Sequence, residues 1–326
     1  MDYGKAEGSM LFNTGAPLLS VPNGDVTGDL FLKPEGFQLI NELGDAIYGK
    51  PQTIKYHAHP TGAETFLVLR GKVRMHVNSK WCDVTKGDIM HIRAHVYHGF
   101  EILEPDTAWR EMFQQMDMYA GLSGKSNLRT FYPELLEDET FTARRLARAG
   151  IDYRESPPLE EASKYDVPHI KPADKHMLTF DVPFGKLHLR VGRWELGGVK
   201  EIWQFDMRQG ACLDFAMPFG DKPVYHVLEG VVRVDSDRES FDAGEGDIIS
   251  IPQYLKHKLT VKEDAKLLAL NVQSRLLNIM ERFNADKVKN PEVLEDWEYI
   301  SKSLAEHNCW LTGFADSSTA RRAGSC

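Results

Sequence analysis

Cysteine is scarce in this chain, with 4 among 326 residues. Cys82, Cys212, Cys309 and Cys326 are widely separated, and no Cys-x-x-Cys pair occurs. This spacing argues against a thiolate metal site and against a dense disulfide framework. We therefore expect free thiols in a reducing compartment, which favours a cytoplasmic location.

Runs of basic residues and long apolar segments are also missing. The 48 acidic residues outnumber the 39 basic ones, and the formal net charge is −9. A negative surface disfavours binding to nucleic acid or to anionic membranes. No segment has the apolar length of a membrane span, and the polar N-terminus does not match a signal peptide. We expect a small-molecule substrate as the partner, no nucleic acid and no membrane, with a homodimer as a possible assembly.

Four side chains of metal-binding type are grouped in the first third of the chain. His57 and His59 are two residues apart, Glu64 follows a turn rich in Pro and Gly, and His98 begins a later strand-like segment. Alternate residues of a strand face the same side, so His57 and His59 project together. Three imidazoles and one carboxylate suit a divalent transition metal. A lone histidine is more often structural, but four donors at matched spacing favour a metal site.

These residues resemble the two sequence motifs of the cupin superfamily. The spacing His-x-His-x4-Glu-x6-Gly over 57–71 is similar to the first motif, and residues 87–98 are similar to the second. Cupins usually have Pro and Gly where this chain has Arg93 and His95. The resemblance implies a double-stranded β-helix (jelly-roll) barrel with a metal ion inside. The ligands that it implies are His57, His59, Glu64 and His98.

An internal repeat supports the same fold. Gly230 lies 159 residues after Gly71, and this offset aligns the two surrounding segments without gaps. Shared turn glycines and shared apolar positions predict the same strand–turn–strand unit twice, so the chain resembles a bicupin. The matching pairs include Arg74 with Arg233, Asp83 with Asp242, Gly87 with Gly246, Asp88 with Asp247, and His98 with His257.

The second copy lacks most of the metal ligands. The offset puts Ala216, Pro218 and Pro223 opposite the first three ligands, and His257 alone is retained. A single imidazole is a poor site for a divalent metal. We therefore expect the second barrel to be structural, and the alternative left open is that it closes one side of the active site or binds a regulator.

The predicted fold class is all-β dominated, with two tandem cupin (double-stranded β-helix jelly-roll) barrels, a helical linker and a helical C-terminal tail. The metal-binding N-terminal barrel is predicted over 1–120, and the linker with its helix over 121–175. The C-terminal barrel, without most metal ligands, is predicted over 176–273, and the helical tail over 274–326. In the tail, Ser274 is a candidate N-cap for the first helix.

The reaction class is the least determined part of the prediction. Segments 64–66 and 100–107 are most similar to the quercetin dioxygenase-like bicupins. That resemblance implies a dioxygenase acting on a small phenolic or enolic substrate, with Fe(II) favoured and Mn, Ni, Cu or Zn as other metals. A fold does not determine a reaction. Two alternatives therefore stay open: a metal-dependent isomerase, lyase or decarboxylase of a small keto or hydroxy acid, and a non-catalytic small-molecule-binding cupin.

Two residues are candidates for catalysis in such a site. Glu64, if it loosens from the metal, could take a proton from a substrate hydroxyl. His95 is the best placed of the neighbouring polar residues, because it lies on the loop that leads to His98.

Overall fold

The computed structural model describes residues 11–12, 17–32, 42–114, 118–148, 150–198, 200–217, 223–252, 255–273, 275–306 and 310–315. Its described residues form two compact units. One lies within residues 17–175, and the other combines residues 11–12 with the described part of 176–326. Strands and helices are numbered along the chain, and the first strand, β1 (Leu11–Phe12), belongs to the second unit.

The unit within 17–175 consists of two antiparallel-rich sheets and a helical segment. Its elements are β2 (Leu19–Asn23), β3 (Val26–Leu32), β4 (Glu42–Tyr48), β5 (Gln52–Ala58), β6 (Ala63–Arg70), β7 (Lys72–Val77), β8 (Lys80–Thr85), β9 (Ile89–Arg93), β10 (His98–Ile102), β11 (Thr107–Gln114), α1 (Met118–Phe131), α2 (Glu134–Glu137), α3 (Glu139–Arg148), β12 (Asp152–Tyr153), β13 (Glu160–Glu161) and β14 (Ile170–Lys171). One sheet has the order β12-β5-β10-β7-β8-β13, and the other has the order β14-β9-β6-β11-β4-β3-β2. From β4 to β11 the chain changes sheet at every step except between β7 and β8, which form a hairpin within one sheet, and the two sheets together make a jelly roll.

The second unit repeats this pattern in longer strands. Its further elements are β15 (Leu178–Val182), β16 (Gly185–Val191), β17 (Lys200–Met207), β18 (Cys212–Met217), β19 (Val224–Ser236), β20 (Ser240–Ala243), β21 (Ile248–Ser250), β22 (His257–Gln273), α4 (Arg275–Lys289), a 3-10 turn (Val293–Glu295), α5 (Trp297–Ala305) and β23 (Trp310–Ala315). With the repeat offset, β19 corresponds to β6 plus β7, and β22 corresponds to β10 plus β11. These continuous strands join the second unit into one sheet, whereas the first unit has two.

The repeat is confirmed by hydrogen bonds at matching positions. The Val68 N–H donates to Asp88 O (3.0 Å), and the Val227 N–H donates to Asp247 O (2.9 Å). Both turn glycines, Gly71 and Gly230, have a left-handed φ, of 76° and 77°. A Cβ on Gly71 would lie 2.2 Å from the Thr107 hydroxyl oxygen, so a side chain at this turn would clash. Tight turns that only glycine tolerates therefore recur at the repeat distance.

The core of the first unit contains a cluster of aromatic rings. The rings of Phe66, Phe100 and Trp109 pack with centroids 5.0 to 5.3 Å apart, and all three side chains are buried. Full burial of one such apolar side chain contributes roughly 1.5–3 kcal/mol. This cluster provides the rigid base on which the neighbouring polar side chains are held.

The first part of the predicted helical tail is observed as α4 and α5, which pack against the core of the second unit. The prediction is wrong for β23, a strand that pairs with β18. Leu276, Leu277 and Met280 of α4 are buried in that core, as are Ile300 and Leu304 of α5. Asp296 caps α5 by accepting a hydrogen bond from the Tyr299 N–H. The tail therefore completes a hydrophobic core.

Some predictions about single residues have a different outcome. The expectation of a free thiol is wrong for Cys212, which is disulfide-bonded, whereas Cys82 is free and buried. Cysteine spacing could not reveal this, because strand pairing decides which residues distant in sequence meet. Ser274, Pro218, Cys309 and Cys326 lie outside the described residues.

No helix within the described ranges combines the length and the hydropathy that crossing a membrane requires.

Candidate metal centre

Three strand ends bring the four predicted ligands together. His57 is near the end of β5, and His59 follows that strand directly. Glu64 is the second residue of β6, after a turn in which Gly62 has a φ of 78°. His98 opens β10 and is the Cα partner of His57 in the antiparallel pair. The turn and the strand pairing therefore set the ligand positions.

The four side chains converge on one point. One ligand atom from each of them lies within 4.8 Å of the others. His59 Nε2 is 3.2 Å from Glu64 Oε1, and His98 Nε2 is 2.9 Å from Glu64 Oε2. The rings of His57 and His98 have centroids 4.4 Å apart. All four residues are at least 93% buried, so the donor atoms form a compact internal cluster.

The imidazoles of His57 and His98 are oriented for metal binding through Nε2. His57 Nδ1 lies 2.6 Å from Lys55 O, and His98 Nδ1 lies 2.9 Å from Val96 O. A carbonyl partner requires Nδ1 to carry the proton, which leaves the Nε2 lone pair for a metal. The buried Nε2 atoms of His59 and His98 and the buried Oε2 of Glu64 make no hydrogen bond of good geometry in the described structure. A divalent cation would satisfy these buried atoms, so the donor set fits a metal ion.

The electrostatics of the cluster are consistent with that use. Burial raises the pKa of Glu64, but the adjacent imidazoles of His59 and His98 outweigh it and hold that pKa well below its usual range. Burial, with a contribution from His98, lowers the pKa of His57 to about 4. The carboxylate is therefore anionic and His57 is neutral at pH 7, which are the states that a metal requires.

The structure separates His95 from the ligand cluster. His95 is exposed and has a left-handed φ of 65°, at the position where cupins usually have glycine. Its backbone N–H donates to His59 O at 2.7 Å, which ties the loop before His98 to the chain that carries His59. A catalytic role for the His95 side chain stays a prediction.

In the described part of the second unit there is no comparable cluster. His257 is buried, and its Nδ1 lies 2.9 Å from Leu255 O, as His98 Nδ1 lies near Val96 O. Among the described residues, the four side chains of the first unit are the group that could hold a metal. The orientation of the retained histidine has thus been kept without the other ligands.

Sequence reasoning missed a polar group beside the aromatic cluster. Glu111 Oε1 accepts a hydrogen bond of 2.9 Å from Trp109 Nε1, and Glu111 is buried. Glu111 is the Cα partner of Phe66, which is two residues from Glu64 on the same face of β6. Burial, then Glu111 and Glu64, raise the pKa of Tyr48 well above its usual value, so both carboxylates act on one buried phenol. The sequence offered one signal for this contact: Trp109 and Glu111 are two residues apart along β11, so their side chains lie on the same face.

Sequence reasoning also missed Tyr153, which comes from the linker. β12 pairs with β5, with Tyr153 opposite His57, and the two rings have centroids 5.4 Å apart. A Cβ on Gly150 would lie 2.7 Å from Pro60 Cγ, so the linker also contacts the turn between His59 and Glu64. No sequence pattern within the linker indicates this return to the metal-binding strands.

Comparisons with known proteins support the fold. The family model described as Cupin domain matches residues 46–108, the segment that contains all four ligands. The oxalate decarboxylase of Lactobacillus farciminis, in complex with formate, is similar in structure, with a TM-score of 0.50 and 14% identity over 82% of this chain and 86% of that chain. A variant of Bacillus subtilis oxalate decarboxylase has a TM-score of 0.49 and 13% identity over 90% of this chain and 86% of that chain. No curated protein sequence matches the chain.

Proposed function

We propose that this chain, which belongs to the cupin superfamily and carries two cupin folds, is a metal-dependent enzyme acting on a small oxygen-rich acid. The reaction class that we favour is the lyase or decarboxylase chemistry of a keto or hydroxy acid. The observation that carries the proposal is the convergence of three imidazoles and one carboxylate on one buried point. The enzyme from Lactobacillus farciminis, which resembles this chain in fold, is by name a decarboxylase.

The ligand residues would hold one divalent metal. Their nitrogen and oxygen donors suit Mn(II) or Fe(II), and Ni, Cu and Zn also accept such donors. When bound, the metal would act as a Lewis acid toward a carboxylate, keto or hydroxyl oxygen. Four protein donors leave coordination positions for substrate in a six-coordinate ion.

The remaining residues would orient the substrate and exclude water. The rings of Phe66 and Phe100 form an apolar wall, and the Phe100 ring centroid is 5.5 Å from that of His98. Because these rings exclude water, electrostatic interactions at the metal would be stronger. Glu111, held by Trp109, would accept a hydrogen bond from a substrate hydroxyl, and we propose that it handles protons together with Glu64. Two carboxylates beside one substrate can serve as separate acid and base.

A dioxygenase acting on a phenolic or enolic substrate is the second candidate. The specific observation that favours it is the aromatic wall, because Phe66, Phe100 and Trp109 would accommodate a planar ring. The donor set is equally compatible with Fe(II) and an oxidisable substrate.

Measuring product formation from an acid and O2 uptake in parallel distinguishes these two reactions. The full chain is stripped of metal, loaded anaerobically with Mn(II) or Fe(II), and given small keto acids, hydroxy acids and phenols. We expect carbon dioxide release or another cleavage product from an acid, without stoichiometric consumption of O2. Stoichiometric O2 uptake with a phenol would replace the favoured reaction by the second one.

The control variants define the role of the site. His98→Ala should abolish turnover, whereas His257→Ala, at the equivalent position of the second unit, should leave it nearly unchanged. Metal binding in the wild-type chain with no conversion of any compound would indicate a non-catalytic binding protein instead.

A further inference from the structure

Two cations on the helical segment after β11 have no acidic partner among the described residues. Arg145 on α3 is half-buried, and its Nε is fully buried without a hydrogen-bond partner in the described structure. Lys125 on α1 is also half-buried, and no ion pair of the described residues includes it. Burial, together with the positive charges of Arg129 and Arg145, lowers the pKa of Lys125. Two positively charged side chains that repel each other where water is partly excluded are stabilised by a bound anion.

The position of Arg145 relates it to the metal centre. The hydrogen bond from the Ile151 N–H to Leu146 O joins the end of α3 to β12, which pairs with β5 beside His57. Tyr153 of β12 has its ring 5.4 Å from that of His57. Arg145 is thus carried by the helix that ends directly before the strand beside His57, and its buried Nε has no hydrogen-bond partner in the described structure.

We propose that Arg145, assisted by Lys125, binds the anionic group of a substrate whose other oxygen donor reaches the metal centre. The inference rests on the proposed function and narrows its substrate to a class: a small acid with a carboxylate at one end and a keto, hydroxyl or second carboxylate oxygen at the other. A guanidinium pairs with a carboxylate through two parallel hydrogen bonds, which sets orientation as well as affinity. Arg145 is therefore a specificity-determining residue that comes from the linker.

Calorimetric titration of the Mn(II)-loaded full chain tests this proposal without requiring turnover. The probes are oxalate and pyruvate, with oxamide and pyruvamide as neutral analogues of the same shape. We expect Arg145→Gln to weaken binding of the anions by about 10-fold or more, the range of a charge-assisted hydrogen bond. Arg145→Lys should retain part of the affinity, because the charge remains and the planar fork is lost. Lys125→Gln should have a smaller effect in the same direction.

The matched control is Arg144→Gln, on the same helix and exposed. It should bind the anions within about twofold of the wild-type affinity, since a solvated surface charge contributes little. Elemental analysis should give equal metal content for all variants, and their thermal unfolding should establish that they are folded. Neutral analogues should bind weakly, with no difference between wild type and Arg145→Gln.

The outcomes separate this inference from the proposed function. Equal anion affinity in Arg145→Gln and Arg144→Gln would overturn the inference, as would a wild-type chain that binds none of the anions. Turnover of a substrate without any effect of Arg145→Gln would leave the enzyme proposal standing and remove only the anion site. Anion binding that depends on Arg145, in a chain that converts nothing, would support the inference and reject the enzyme.

Discussion

Glu64 Oε2 lies 2.9 Å from His98 Nε2, although β6 and β10 belong to different sheets of the same unit. His57 lies on the same sheet as His98, so a metal ion at this cluster would join the two sheets. A ligand that binds the folded state alone raises the free energy of unfolding by mass action.

Metal removal should therefore lower the unfolding temperature of the chain. At a free metal concentration of 100 times the Kd, the expected stabilisation is about 2.7 kcal/mol. Differential scanning calorimetry of the chelated and the Mn(II)-loaded protein measures it. His98→Ala should lose the metal-dependent increase and His257→Ala should keep it. An equal increase in all three proteins would mean that the metal binds elsewhere.

Glu64→Gln should retain some metal and lose most activity. The amide has the shape of the carboxylate but no charge, so it attracts a divalent cation less and cannot accept a proton. We expect kcat to fall roughly 100-fold, the lower end of a general-base contribution. Assays at saturating metal separate this loss from weak metal binding. Wild-type kcat in the fully loaded variant would show that Glu64 serves only as a ligand.

Glu111→Gln tests the buried carboxylate that contacts Trp109. The amide oxygen can still accept the Trp109 Nε1 hydrogen, so the fold and the metal content should persist. Loss of the charge should lower kcat by about 100-fold if Glu111 handles a proton. Glu104→Gln, in an exposed position, is the control. A change in the unfolding temperature with unchanged kcat would assign Glu111 a structural role.

Glu201 of the second unit should make stability depend on pH. Burial raises the pKa of Glu201 to about 7, although Oε2 accepts hydrogen bonds from Trp203 Nε1 and the Leu277 N–H. The folded chain then keeps a proton that the unfolded chain loses near the usual glutamate pKa of 4.5. The contribution of Glu201 to the free energy of unfolding is therefore fully present below pH 4.5. As the pH rises from 4.5 to about 7, the free energy of unfolding decreases by about 3 kcal/mol.

The matching variant is Glu201→Gln, which keeps an acceptor oxygen and removes the titration. Urea unfolding between pH 4 and pH 8 should show a flatter profile for this variant and greater stability than the wild type at pH 8. Glu263→Gln, in an exposed position of β22, should keep the wild-type profile. Parallel profiles for wild type and Glu201→Gln would contradict a raised pKa.

The first ligand motif shows what side-chain alternation and turn geometry can predict from the sequence. The two-residue spacing of His57 and His59 places both on one side of a strand, and Gly71 and Gly230 mark turns that a side chain would block. These constraints act between near neighbours in the chain, so they can be inferred from residue types and distances in sequence. The jelly-roll fold, and the meeting of His98 with the other three ligands, were implied by the resemblance of these residues to the cupin motifs.

The surroundings of the site could not be inferred in this way. Glu111 was overlooked because alternation puts Trp109 and Glu111 on one face of β11 without showing that both side chains are buried. Tyr153 and Arg145 come from a linker whose return to β5 depends on packing against Pro60 and on strand pairing. Cys212 was assigned a free thiol because sequence spacing does not reveal which cysteines meet.

By itself, the amino-acid sequence determined the repeated jelly-roll units and the donor atoms of one metal site. Both depend on side-chain alternation and turn geometry, which are local. Only the tertiary structure decided that Tyr153 packs beside His57, because such neighbours are selected by contacts between segments far apart in the chain.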